Sequence, residues 1–174
     1  SFPWMSEYEF EDLPNFNKIQ SLLLDIGDKV KSNSIRVSYH PGPFNVLASE
    51  NEAVVLKTIK ELNKHAEIMD LMGLEQNTFY PINIHINTTK PTREEAAQRF
   101  VDRFSELTES CKKRLTIEND DSPNQYSVKM LHDWLHKKIG IPVVFDQHHF
   151  LYGPQDQSME DAIKLAYSTW NTRV

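Results

Sequence analysis

Residues 141–149 read IPVVFDQHH, an apolar run that ends on Asp146, Gln147, His148 and His149. The run is short and rich in β-branched residues, the pattern of a buried strand. Its end carries the imidazole and carboxylate groups that bind divalent metals. Three other segments repeat the arrangement. Ile35–Tyr39 (IRVSY) is followed by His40, Ile82–Ile86 (INIHI) carries His85 near its end, and Leu115–Glu118 (LTIE) ends on Glu118.

Between these strands lie apolar stripes at helical spacing. One holds Ile19, Leu22, Leu23, Ile26 and Val30, and a second holds Val55, Ile59, Leu62, Ala66 and Met69 with Gly73 as its stop. A third runs from Ala97 through Phe100, Val101, Phe104 and Leu107 to Cys111, opened by Pro91–Thr92. Val128, Leu131, Leu135 and Ile139 form a shorter one that Gly140 ends, and a last helix is expected from Met159 to Tyr167. Strands alternating with helices imply parallel strands joined by right-handed crossovers. No glycine-rich phosphate loop follows the first strand, as a doubly wound open sheet would ordinarily show. The expected fold is therefore α/β, of the (β/α) TIM-barrel type, in which the C-terminal strand ends share one mouth. Four strands are counted, plus the start of another at Thr172–Val174. The barrel is thus expected to be incomplete, with about four to five of eight strands in a single domain over residues 1–174.

Composition bounds the setting. The chain has 174 residues, 39% of them hydrophobic, and a net charge of −6, which argues against a broad basic nucleic-acid surface. A few local cations or bound metal ions can still reverse the potential inside a cleft. One cysteine excludes an internal disulfide and fits a reducing, cytoplasmic setting. No run is long and apolar enough to suggest a membrane span.

If the strand ends converge, His40, His85, Glu118, Asp146 and His149 can meet and hold divalent ions. Bridging carboxylates between two metals about 3.5–4 Å apart are the usual phosphoester-cleaving arrangement. Taken singly, each has a plainer reading: Asp146 could cap the following turn, and Asn119–Asp120–Asp121 could be a solvated loop. Four consecutive strands ending in the same chemistry favour the metal site. His65, His132 and His136 fall inside helical patterns and read as surface residues, while His148 stays ambiguous. Cys111 reads as a packed thiol, and Lys112, Lys113 and Arg114 as cations at a helix end on the barrel's far face. Lys90 and Arg93 follow His85 on the ligand face, suited either to phosphates or to solvent.

The segments RVSYHPGPFNVL, YPINIHINTT, RLTIENDD and IPVVFDQHHF, with FPWM near the start, resemble the UV damage endonucleases of the UvdE/UvsE type, in the same order. The resemblance runs over nearly the whole chain. It implies a metal-dependent endonuclease that nicks double-stranded DNA immediately 5′ to UV photoproducts (cyclobutane dimers and 6-4 photoproducts), opening an alternative excision repair pathway. It implies a cluster of divalent ions, manganese first and zinc or magnesium as alternatives. His40 and His85 would bind one ion, Glu118 would bridge to a second held by Asp146, and His149 would help bind a third; Glu118 and Asp146 would carry the catalysis. Where the family offers glutamine and an aromatic to probe the duplex, this chain has Pro43–Phe44, and Phe44 can still wedge between bases. Asn87–Thr88–Thr89 replaces a glycine-rich turn after His85, and Glu7 stands where some members carry a further histidine.

The family's later ligands have no counterpart here, so the chain resembles the middle of the barrel, a fragment expected to be weakly active or inactive alone. Its open strand edges suggest homo-oligomers. Two further readings stay open. One is a divalent-metal sugar isomerase or epimerase on the same barrel, against which an exposed Phe44 would count. The other is a non-enzymatic metal- or DNA-binding protein, which a melting temperature indifferent to manganese would favour over both enzymes.

Overall fold

The computed structural model describes residues 9–170. Glu7, the FPWM segment and the strand start at Thr172–Val174 lie outside them. Three parallel strands form one sheet in the order β1-β2-β3: β1 (Ile82–Ile84), β2 (Leu115–Glu118) and β3 (Val143–Val144). The registers pair Ile84 with Ile117 and Glu118 with Val144. Helices α1 (Phe16–Ser32) and α2 (Glu52–Leu71) precede β1, and α3 (Arg93–Phe104) and α4 (Glu109–Arg114) connect β1 to β2. α5 (Val128–Leu131) runs through a π-helical stretch (His132–His136) into α6 (Lys137–Ile139) and connects β2 to β3. α7 (Gln147–Tyr152) and α8 (Met159–Ser168) follow. This is the parallel α/β arrangement of an incomplete TIM-type barrel. No helix among the described residues is long and apolar enough to cross a membrane.

The period-two geometry of the strands sorts their side chains. Ile82, Ile84, Leu115, Ile117 and Val143 are buried and join the core with Leu62 and Met69 of α2 and Phe100 of α3. The alternate positions Asn83, Thr116 and Glu118 share the other face, where the Thr116 hydroxyl donates to Asn83 Oδ1 at 2.9 Å. That face of the sheet is polar, with Thr116 and Glu118 buried, where the opposite face is apolar core. Beside β3, α8 and the segment before β1 border an open apolar groove of about 710 Å³ containing Phe145, Tyr167 and Trp170.

Several expected boundaries change. Ile35–Tyr39 contracts to a single parallel bridge between Tyr39 and Ile82, held by Tyr39 N–H on Pro81 O and Asn83 N–H on Tyr39 O. The start of the run is bonded elsewhere: Ile35 N–H donates to Val30 O at 2.9 Å, at the end of α1. The fourth strand shortens to Val143–Val144, because Pro142 brings no N–H to a ladder. The stripe from Ala97 to Cys111 is two helices, not one. Thr108 starts the second by accepting from Cys111 N–H at 3.3 Å, and its own N–H donates to Asn63 Oδ1. Gly73 and Gly140 do end their helices, with φ of 66° and 65° in the left-handed region glycine tolerates.

Two assignments of side chains are also corrected. His65 is buried on α2, its Nδ1 2.7 Å from Glu61 O and its ring edge-on to Tyr39, because helix α2 faces the sheet at that position. His132 and His136 are half-buried and stacked, with ring centroids 5.4 Å apart. Arg114 is fully buried, donating to Leu74 O at 2.8 Å and paired with Asp70 at 2.9 Å. Cys111 is buried as expected, and burial pushes its thiol up to about 12.

Candidate metal centre

The site is built where the strands end. One residue past Tyr39, His40 is half exposed and sets its Nε2 3.2 Å from Glu118 Oε2. His85, one residue past β1, is largely buried and sets its Nε2 3.8 Å from the same oxygen. Asn83, two residues before His85 and therefore on the same strand face, donates its amide to Glu118 Oε2. From the other side His149 brings Nδ1 to 3.5 Å from Glu118 Oε1. Glu118 itself is buried at the end of β2.

Asp146 does both things its position allowed. It caps α7 by accepting from His149 N–H at 2.8 Å, and it lies beside Glu118. Burial opposes its charge, but the His149 N–H and the charge of that ring hold its carboxyl below the usual carboxylate range. The α7 turn brings His149 back over the strand end, an effect of capping that a reading of ligand spacing alone does not give. His148, the next residue back, is exposed beside Tyr152 and lies apart from both ligand groups.

Two groups of ligand atoms result, each within 4.8 Å: His40, His85 and Glu118, and then Glu118, Asp146 and His149. Glu118 belongs to both. The donor set, imidazole nitrogen with carboxylate oxygen, is suited to borderline and harder divalent ions such as zinc or manganese. The environment also fits a cation. Burial works against protonation of His85, but Asp120 first, then Glu118 and Asp121, outweigh it and hold the ring above its ordinary value. A place that draws a proton onto a buried imidazole is one where a metal ion can take the proton's role.

The loops around this centre carry the residues expected to face DNA. Phe44 is 89% exposed and Pro43 is exposed beside it. Their loop is anchored by Asn45, whose amide donates to Glu61 Oε1 at 3.1 Å. Asn87 adopts a left-handed φ of 59°, so it does the backbone work of the glycine-rich turn, and its amide reaches Asn45 O at 3.1 Å. Lys90 is exposed, whereas Arg93 is half-buried with one N–H on Gln125 O at 3.0 Å.

Sequence reasoning missed three residues here. Asn83 had a signal, since it shares a strand face with His85. Asn119 and Asp120, for which a solvated loop is the plainer alternative, are buried. Asn119 accepts from Asp146 N–H at 2.8 Å and donates to Asp146 O at 3.0 Å, joining the ends of β2 and β3. Its own carbonyl lies 2.9 Å from His149 Nδ1. Of that triplet only Asp121 is exposed.

The comparisons with known proteins converge. Residues 3–174 match the family described as UV-endonuclease UvdE. The chain is similar to a UV DNA damage endonuclease of Clostridium perfringens (strain 13 / Type A), with 32% identity over 96% of this chain and 40% of that protein. It is also similar to one of Bacillus pumilus (strain SAFR-032), with 32% identity over 88% of this chain and 47% of that protein. The crystal structure of SacUVDE superposes with a TM-score of 0.84 at 38% identity, covering 96% of this chain and 55% of that one. The chain spans about half the length of the curated relatives it matches.

Proposed function

This chain belongs to the UvdE family of UV endonucleases, and from that premise we propose that it is the central part of a metal-dependent DNA repair endonuclease, one that nicks double-stranded DNA immediately 5′ to UV photoproducts in alternative excision repair. The observation that carries the reading is Glu118, buried at a strand end and shared by two ligand groups. His40, His85 and Glu118 would hold one divalent ion, and Glu118, Asp146 and His149 a second or third, with manganese the proposed metal. Bound there, such ions supply Lewis acidity toward a phosphate and lower the pKa of water.

The chain's own residues prepare that chemistry. Asn83 turns the Glu118 carboxylate toward the histidines, and Asn119 ties the Asp146 backbone to the end of β2. Phe44, projecting beside Pro43 from its anchored loop, is positioned to wedge at a damaged step, where unstacking costs less. Its exposure favours a nucleic-acid substrate over the closed pocket of a sugar isomerase. Lys90 and Arg93 contact flanking phosphates in this reading, Arg93 with the N–H groups that Gln125 leaves to it. The open apolar groove beside β3 supports self-association.

Nicking of UV-irradiated supercoiled DNA, with manganese and with chelator, tests the proposal. The expected result is weak, manganese-dependent nicking that prefers irradiated DNA. Nicking that persists in chelator would overturn the metal mechanism, and equal nicking of undamaged DNA would overturn the substrate.

A further inference from the structure

Asp120 lies two residues beyond Glu118, buried, with Oδ1 2.9 Å from His85 Nδ1. The carboxylate is not free to turn. Its Oδ2 accepts from Tyr126 N–H at 3.2 Å, while the Asp120 N–H donates to Tyr126 O at 3.0 Å. Tyr126 is in turn fully buried, its hydroxyl 2.8 Å from Thr88 O and 3.0 Å from Arg93 O, across the loop that follows His85. On its other flank the Asp120 carbonyl abuts Gly153, where an added Cβ would come within 2.4 Å. His85 Nδ1 is buried and close to Asp120 but poorly aligned with it, and it has no well-formed hydrogen bond.

A buried carboxylate at one ring nitrogen stabilises the N–H there and leaves the lone pair on the other. For His85 that other nitrogen is Nε2, the one facing Glu118. We propose that Asp120 is a positioning residue that holds His85 in its Nδ1–H tautomer and presents Nε2 to the ion shared with His40 and Glu118. The inference rests on the reading of those three residues as a divalent-ion site. The competing role for Asp120 is only to close the 120–126 turn, and it predicts lost stability with nothing changed at His85.

Two measurements on the whole chain, comparing wild type with D120N and D120A, separate these roles. Long-range ¹H–¹⁵N correlation NMR without metal, at a pH high enough to leave the ring neutral, reports the His85 tautomer. Mn²⁺ titration followed by the EPR signal of the free ion reports affinity. Wild type is expected in the Nδ1–H form, with D120A shifting toward Nε2–H and binding Mn²⁺ about 10–100-fold more weakly. D120N keeps one acceptor oxygen and is expected to fall between them; should D120A fail to fold, D120N against wild type carries the test. An unchanged tautomer and unchanged affinity in a folded variant overturn the proposal. A wild-type chain that binds no Mn²⁺ overturns its ion-binding half and the site reading with it, while the tautomer still decides whether Asp120 orients the ring.

Discussion

Replacing Glu118 with Gln removes one charge from the residue that both ligand groups share. Without metal the change should be mild. The amide keeps an oxygen to accept from Asn83, and it relieves the pairing of two carboxylates, Glu118 and Asp146, at one strand end. The expected cost to the metal-free chain is within about 1 kcal/mol. With manganese the two proteins diverge. An ion present at a hundredfold excess over its Kd stabilises the native state by about 2.7 kcal/mol. In a domain of this size each kcal/mol moves Tm by about 2–4 °C, so the wild-type rise is about 5–11 °C. Because Glu118 serves both groups, E118Q should lose most of that rise, not half of it. Differential scanning calorimetry across a manganese titration, with potassium chloride as the ionic-strength control, reads the effect directly. If E118Q shows the same manganese-dependent rise as wild type, Glu118 is not the shared ligand and the site has been misread.

Three other outcomes are expected. His65 is held neutral by burial, against the opposing pull of the Glu61 carbonyl, so its folded pKa lies below the ordinary 6.5. Protonation then favours the unfolded chain: the stability it contributes is present above 6.5 and is lost as pH falls toward the depressed value, a slope that urea melts should show flattened in H65F. Gly27→Ala would set a Cβ 1.7 Å from the Met72 carbonyl oxygen, whereas Gly42→Ala meets nothing within 4 Å. Since backbone must yield at position 27, the expected loss is at the upper end of about 1–3 kcal/mol, against no measurable loss at position 42. Phe44→Ala should leave Tm unchanged, given its exposure. The same variant should weaken binding to UV-irradiated duplex by about 1–3 kcal/mol in fluorescence anisotropy, and equal binding by both proteins would remove Phe44 from the interface.

Local pattern alone determined much of this protein. Apolar runs leading into His85, Glu118 and Asp146 announce parallel strands with ligand-type side chains at their C-terminal ends, because strand periodicity and side-chain chemistry are properties of neighbouring residues. Glycine stops at Gly73 and Gly140 were legible for the same reason: a left-handed residue is a local requirement. What tertiary structure decided is everything that depends on a partner distant in sequence. The Ile35–Tyr39 run became a single bridge because only Tyr39 comes alongside β1, at Ile82. His149 reaches Glu118 because Asp146 caps a helix that no hydrophobic stripe advertised. Asn119 and Asp120 look solvated by composition, yet they are buried because their hydrogen bonds go to Asp146, His149 and Tyr126, residues a polarity reading cannot bring near. Polarity states what a side chain needs, and only the fold states where that need is met.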